Sequence, residues 1–572
     1  MEYIKYIFKE MTTISGFVTT ISRWLLVLLA FFILLRAMKS LLTTKMPTEI
    51  WAYLSLEGVT AIPLSHWENI IGRASNADIP IDIMTVSRTH GALTRNEDGE
   101  WYYSDLQSNS ETKLNGRTIR SKVRVRMGDV LTIGGINCTL TPASLEEKEK
   151  NKEARTLLTK PFYPWKSLVA ISLFQLIVVI QYMMLDTKKD VSSIPIAFGI
   201  LFIAMWVYSI VLYRLGSRSF EIETIAFFLT TLGIAIAATN SLAKENDSIK
   251  IAFTACIGIG LFFFLCWFLR DLNRAMKVRQ WLVIASVLLL LFNIVFGNNK
   301  YGATNWVSIA GFSVQPSELV KIAYIMVGAG TLDELFRRKS IRLFAVFSLF
   351  CLGTLALMGD FGTASIFFVT FLVISFLRSG DISRLVLLVS AAAIGVVMIL
   401  RFKPYILGRV ATWMHAWEFA DAGGFQQTRT MSAGASGGLV GLGPGKGWLN
   451  SIVASDTDLV FGILLEEFGL IIAIMSVVAI VTLSLFAFKS IRAGRSAFYT
   501  ICACAATTLL TFQTILNVFG SVDLLPLTGV TFPFVSNGGT AMIASWGLLA
   551  FLKASDTRRR ASIAVREDEE GF

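Results

Sequence analysis

The sequence predicts a polytopic α-helical membrane protein that carries one polar, all-β domain near its N-terminal end. Three observations lead there. The 572-residue chain is 54% hydrophobic with a mean hydropathy of +0.61, too apolar for a soluble enzyme of this length. Apolar runs of about 20 residues recur, each long enough to cross a hydrocarbon layer of about 30 Å. The runs lack the strict alternation of a membrane barrel, which leaves helices as the way to satisfy the backbone in lipid.

Taken in order, the first apolar run, Phe17 to Leu35, is expected to be a retained membrane anchor within residues 1–46, because no small-residue cleavage site lies near it. Residues 47–142 are polar and hold short alternating runs such as "KVRVR" and "VLTIGG" between Gly/Asn/Asp turns, the pattern of a small β domain. Residues 143–164 form a charged linker with helical character. From Trp165 onward hydropathy gives about twelve further spans, about thirteen with the anchor.

The net charge of +11 does not call for a nucleic-acid partner, because much of the excess sits in short loops and orients the chain in the membrane. Arg214 and Arg218, then Arg270, Arg274, Lys277 and Arg279, then Arg337, Arg338, Lys339 and Arg342 fall on one side. Arg378 and Arg384, then Lys489, Arg492 and Arg495, and finally Arg558 to Arg560 follow at every second loop. These loops, a tail at 556–572 and, by parity, the β domain are expected in the cytoplasm, with the extreme N-terminus outside. Arg36, Lys39 and Lys45 agree. The outer face then gathers three long polar loops: "NNKYGATNWVSIAGFSVQPSE", the segment Lys403–Asp458, and "SVDLLPLTGVTFPFVSNGG". Long structured loops usually carry function. Of the six cysteines, Cys256, Cys266, Cys351, Cys502 and Cys504 lie in apolar runs, and with three histidines in the chain no His/Cys metal site is expected.

Within the β segment, "IGRASNADIPI", "VSRTHGAL", "DLQSNSETKLNG" and "GDVLTIG" resemble a forkhead-associated (FHA) domain, a β-sandwich whose loops bind phosphothreonine. A dianionic phosphate needs an Arg and several converging donors. The resemblance implies that Arg73 and Ser87 hold the phosphate, with Arg88, Asn109 and Ser110 beside it, while His90 braces the loops and Asn115-Gly116 makes a tight turn. The departure is Ser110-Glu111, where the family has Asn-Gly. The alternative is a sandwich that binds an unphosphorylated partner.

In the membrane region, "GATNWVSIAGFSVQPSELVK", "GDFGTA", "FQQTRTMSAGASGGLVGLGPGKG" followed by "SDTDLVFGILLEEFGLI", and "LLPLTGVTFPFVSNGGT" resemble, in order and spacing, the motifs of the SEDS family, which includes FtsW, RodA and SpoVE. The resemblance covers residues 282–555 and leaves 165–281 as additional spans. It implies a peptidoglycan glycosyltransferase that polymerises lipid II outside the membrane beside a class B penicillin-binding transpeptidase. Such a reaction is inverting, with a lipid diphosphate as leaving group. It serves division, elongation or sporulation.

This chemistry needs a carboxylate to take a hydroxyl proton and cations or donors for the diphosphate. By resemblance Asp458 is the general base; its structural alternative is a helix N-cap. Asp456 stands where the family has His, and would raise the Asp458 pKa, help hold a divalent cation, or simply be solvated. Glu318 and Lys321 share a helix face, where an intramembrane charged pair either meets substrate or fixes packing. Asp360 is read as site or helix cap. Glu466, about 12 Å deeper than Asp458 at helical rise, is expected to bond within the bundle. Arg409, Arg429 and Lys446 are candidate diphosphate partners, and Gln426 a sugar ligand. The glycines of "SGGLVGLGPGKG" are expected to admit substrate close to the backbone. Thr528, Ser536 and Asn537 are expected to line the cleft. Further departures from the family motifs are Asn305 for Arg, Gly359 for Pro, Asn537 for Tyr, and a missing Leu-Pro-Glu. A flippase for lipid-linked precursors and a non-catalytic division scaffold remain as alternative readings. Among possible phosphorylated ligands is the chain's own Thr557.

Overall fold

The structure is a computed structural model. It describes residues 14–564 apart from 44–49, 58–60, 76, 97, 107, 120, 159–160, 186–190, 243–245, 301–302, 310–311, 331–337, 403, 492–495 and 559. The cationic positions Lys45, Arg337, Arg492, Arg495 and Arg559 therefore lie outside the described residues.

The polar segment folds as expected into a two-sheet sandwich. Its strands are β1 (Ala52–Leu56), β2 (Ile62–Leu64), β3 (Glu68–Gly72), β4 (Ile79–Pro80), β5 (Gly91–Arg95), β6 (Trp101–Asp105), β7 (Thr112–Leu114), β8 (Arg117–Thr118), β9 (Val123–Val125), β10 (Val130–Ile133) and β11 (Ile136–Pro142). One sheet runs β2-β1-β11-β10-β7-β8 and the other β4-β3-β5-β6-β9. Alternation puts Leu54, Ile71, Leu93, Tyr103, Leu131 and Leu140 into the shared core, the period-2 burial that fixes register. Asn115 and Gly116 both have positive φ, 49° and 81°, and close the β7–β8 hairpin as a two-residue primed turn.

The rest is helical: α1 (Ile14–Thr43), the linker helix α2 (Leu145–Leu158), α3 (Trp165–Met183), α4 (Ser193–Arg214), α5 (Glu221–Ser241), α6 (Asp247–Phe268), α7 (Leu272–Phe296), α8 (Pro316–Gly328), α9 (Arg338–Leu357), α10 (Phe361–Ser379), α11 (Ile382–Phe402), α12 (Pro404–Thr412), α13 (Phe425–Gly437), α14 (Val460–Ile463), α15 (Gly469–Ser490), α16 (Ala497–Ser521) and α17 (Gly539–Ser555). Ten helical runs among the described residues are long and apolar enough to cross a membrane: α1, α3 to α7, α9, α10, the α14–α15 run and α16. Their outward side chains, Leu28, Trp281, Val346 and Leu349 among them, are exposed, a surface suited to lipid rather than water.

Two expectations need correction. The polar outer segments are not plain loops. Asn298–Lys300 (β12), Ala303–Ile309 (β13) and Phe312–Val314 (β14) form a small antiparallel sheet, and the segment after Lys403 contains α12 and α13. The residues after α17 are not a free tail either, as far as Ala564. Asp556, Arg558, Ala561, Ser562 and Ala564 are buried, because carboxylates far back in the chain receive the cations. Arg558 bridges Glu221 on α5 at 2.8 Å and Asp556 at 2.7 Å, and Lys553 pairs with Glu223 at 2.9 Å.

These contacts define one end of the bundle, where α5 starts and α17 finishes. Ser40 near the end of α1 donates to Glu221 there at 2.7 Å. The sandwich sits at the same end: Glu68, at the start of β3, accepts from the Ser496 hydroxyl at 2.5 Å and the Ala497 N–H at 2.9 Å, capping the first turn of α16 with negative charge. At the opposite end of α16, Asn517 reaches Asp458.

Candidate active site and phosphopeptide loops

Asp458 lies between Ala454 and the start of α14. It does not cap the helix: Leu459 occupies that position, with no side-chain cap. Its backbone N–H bonds Ala454 O at 2.9 Å, and Ala454 itself is held at φ 59°, a left-handed conformation that costs a non-glycine residue about 1–3 kcal/mol. The conformation is held by three consecutive contacts. Asp456 O accepts from the Asn537 N–H at 2.9 Å, Thr457 O from the Ser536 hydroxyl at 2.7 Å, and Asp458 O from Asn517 Nδ2 at 3.0 Å. Asn537 Nδ2 also donates to the Asp456 carboxylate at 2.8 Å. Asp456 and Asn537, two positions at which the chain departs from the family motifs, thus meet each other.

Ser536 is therefore turned inward rather than into a cleft, while Asn537 is half-buried with its amide nitrogen engaged by Asp456. The Ser536 hydroxyl is buried, accepts from Phe532 N–H at 2.7 Å and donates to Thr457 O, which engages both its donor and an acceptor site. Thr528 keeps its hydroxyl without a partner among the described residues. Next to it, Gly529 has φ 72°, and a Cβ there would stand 3.2 Å from Asp458 Oδ2, so the glycine leaves the carboxylate room.

Part of the Asp458 surface reaches solvent, yet protein crowds the group. Removal from water pushes its carboxyl up to about 6; Asp456 and Asp360 push the same way, while the Thr457 hydroxyl and the Arg409 charge pull it back. Arg409, exposed on α12, donates to Leu527 O at 3.2 Å. Gln426 donates to Val453 O at 3.0 Å and so steadies the segment that leads to Asp458. Arg429 lies over the Phe425 ring and 3.8 Å from Asp421; Lys446 is exposed.

The remaining candidates are braced internally. Glu318 and Lys321 are 4% and 1% exposed; they pair at 2.7 Å, and Lys321 also donates to Gln513 Oε1 at 3.0 Å. This is the packing alternative. Asp360 caps α10 through Thr363 N–H at 3.0 Å and is held by Asn305 at 2.9 Å and Gln315 at 3.3 Å. Asn305 thus turns its amide on the carboxylate. Glu466 bonds within the bundle, accepting from Trp448 and Leu449 N–H. It lies in a π turn, Leu464–Phe468, a widened turn frequent at functional sites. The glycine-rich run packs on that turn. A Cβ at Gly437 would stand 2.0 Å from Leu465 O, and one at Gly441 2.1 Å from Glu467 O. The close approach made by these glycines is to protein rather than to substrate. Among the described residues no three His, Cys, Asp or Glu side chains gather as a metal site, and one Asp456 oxygen accepts from Asn537.

In the sandwich, Arg73 N–H bonds Ser87 O at 2.9 Å and the Ser87 hydroxyl accepts from Asn109 N–H at 2.9 Å, bringing the predicted loops together. Ser110 turns its hydroxyl to Thr85 O at 2.6 Å. The buried His90 accepts from Ser87 N–H and contacts Thr112 Oγ1; burial lowers its pKa, keeping a neutral brace. Glu111 accepts from Thr118 at 3.3 Å.

A helical bundle with a carboxylate site at one end and an FHA sandwich at the other defines a multi-domain membrane protein. The FHA family model matches residues 69–134. The FtsW/RodA/SpoVE family model, described as "Cell cycle protein", matches residues 220–561, and the chain belongs to that family. The match takes in α5 and α6, upstream of the motif-bearing region. The chain is 26% identical over 370 residues to "Probable peptidoglycan glycosyltransferase FtsW" of Wigglesworthia glossinidia brevipalpis, covering 60% of this chain and 95% of that protein. It is 28% identical over 354 residues to "Stage V sporulation protein E" of Bacillus subtilis (57% and 94% covered). A solved chain from a peptidoglycan synthase complex matches with 24% identity and a TM-score of 0.47, covering 58% of this chain and 97% of that one.

Proposed function

We propose that the protein is a peptidoglycan glycosyltransferase that polymerises lipid II at the outer face of a bacterial cytoplasmic membrane. Asp458 is the general base. It takes the proton of the acceptor sugar hydroxyl as that oxygen attacks the anomeric carbon of the donor, and the lipid diphosphate leaves with inversion. Arg409, Arg429 and Lys446 are the cations at the same end for the leaving group, and Thr528 offers a hydroxyl. The supporting observation is the Asp458 carboxyl itself. It is pushed up to about 6, is partly open, and is bordered by amides and carboxylates. That suits a base working near neutral pH. The FHA domain and the end that carries it lie in the cytoplasm, where a phosphothreonine protein would recruit or bias the enzyme, and a class B penicillin-binding transpeptidase cross-links the product.

The test is polymerisation of fluorescent lipid II by the purified full-length protein, with and without a transpeptidase. Asp458→Asn should abolish product while the protein still inserts and folds. Wild-type product from that variant would sink the assignment. Lipid translocation without polymerisation in either protein would instead make the chain a transporter.

A further inference from the structure

We infer that Asn517, Ser536 and Asn537 are positioning residues for the Asp458 carboxyl, and that the Asp456–Asn537 contact sets how readily it takes a proton; this rests on Asp458 being the base. Three donors from two other elements meet three successive carbonyls, those of Asp456, Thr457 and Asp458. Backbone held this way has no freedom to relax. Two of its neighbours, Ala454 at φ 59° and Phe534 at φ 64°, keep left-handed conformations that isolated non-glycine residues avoid. Asn517 is buried, and its Nδ2 also donates to Val530 O at 2.7 Å. One amide thereby joins the Asp458 segment to the strand of chain beside Gly529, the residue that faces the Asp458 carboxylate.

The side-chain contact adds an electrostatic role. Asn537 Nδ2 donates to Asp456 Oδ2 at 2.8 Å; a neutral amide stabilises the Asp456 anion without supplying a positive charge. An anion two residues from the base makes deprotonation of the base harder. The charged groups acting on Asp458 are Asp456 on its own segment, Asp360 at the α10 cap and Arg409 on α12. Of these, only Asp456 is held by Asn537, while Asp360 is held by Asn305 and Gln315.

The experiment uses purified full-length protein. In lipid II polymerisation, Asn517→Ala and Asn537→Ala should lower turnover by roughly tenfold to a hundredfold, the scale of a slight misplacement of a catalytic group, with little change in KM. Asn517→Asp restores the size but not the donor and should not rescue. Asp456→Asn should move the acid limb of the pH profile down by roughly a unit, and Asn537→Asp should move it up, since each changes the charge beside Asp458. A merely structural role moves neither limb. Carbodiimide labelling of Asp458, followed by mass spectrometry across pH, reads the same two shifts without substrate. Shifts in labelling with no polymerisation by wild type would overturn the glycosyltransferase reading and keep the electrostatic contact. Unmoved labelling in both charge variants of well-folded protein, or full turnover in Asn517→Ala and Asn537→Ala, would overturn the inference.

Discussion

The sandwich end of the helical bundle and the segment around Asp458 treat charge in opposite ways. At the sandwich end, Glu221, Glu223 and Asp556 are buried and each meets a cation: Arg558 lies between Glu221 and Asp556, and Lys553 lies against Glu223. At the other end, Asp360 and Asp456 are held by the amides of Asn305, Gln315 and Asn537, and Asp458 feels Arg409 only through its field. A buried carboxylate bonded to a cation is held in one place and serves the fold. Asp458, crowded by protein and bonded to no cation, is pushed up to about 6 by removal from water, within the range a base requires.

The largest test of this contrast is Arg558→Ala. It strands two carboxylates at the sandwich end and should destabilise the protein by about 3–5 kcal/mol, the usual result of removing one partner of a buried ion pair. Thermal unfolding in detergent reads this; an unchanged melting temperature would break the contrast. Next is Arg73→Ala. Arg73 makes no ion pair in the structure among the described residues, and its loss should weaken binding of a phosphothreonine peptide by about 1.5–3 kcal/mol, the scale of a charge-assisted hydrogen bond, with basal polymerisation unaffected. Calorimetry with matched threonine and phosphothreonine peptides checks it, and equal affinity for the two would mean that phosphate recognition has been lost. The smallest effect is on pH. Because the Asp458 pKa is raised to about 6, its base form appears as pH rises through that value, so polymerisation should fall away below it. The same sign means that this group favours the fold most when protonated, below about pH 4, and loses that contribution as pH rises through its folded value. An acid limb near 4 would show that Asp458 is as well solvated as a surface carboxyl.

Much of this was legible in the sequence where the signal is local. Hydropathy gave the helical class, although it led to about thirteen expected spans where ten helical runs among the described residues are long and apolar enough; period-2 alternation gave the sandwich, and the rise of a helix placed Glu466 inside the bundle. What local signals could not give is the identity of partners distant in the chain. Arg558 reads as one more cationic loop residue until Glu221, 337 residues away, is seen to receive it. Ser536 and Asn537 read as cleft-lining because a polar loop at a helix mouth ordinarily faces water. Their partners, Thr457 and Asp456, lie 79 and 81 residues back. The glycines of the rich run were likewise legible as points of close approach, but the π turn they approach was not, since no residue pattern marks it. Asp523, which accepts from Met414 and Ala416 N–H, carried no motif and was missed.

One helix connects the two ends. α16 begins on Glu68 of the sandwich and, about 30 Å further at helical rise, presents Asn517 to the Asp458 backbone. In mechanical terms it is a shaft seated in a bearing at each end, with Lys321 touching it through Gln513, about one turn before Asn517. A helix resists stretching along its axis because every turn is hydrogen-bonded to the next. The sandwich is therefore not a pendant on a linker. It bears on the same rigid member that supports the backbone of Asp458.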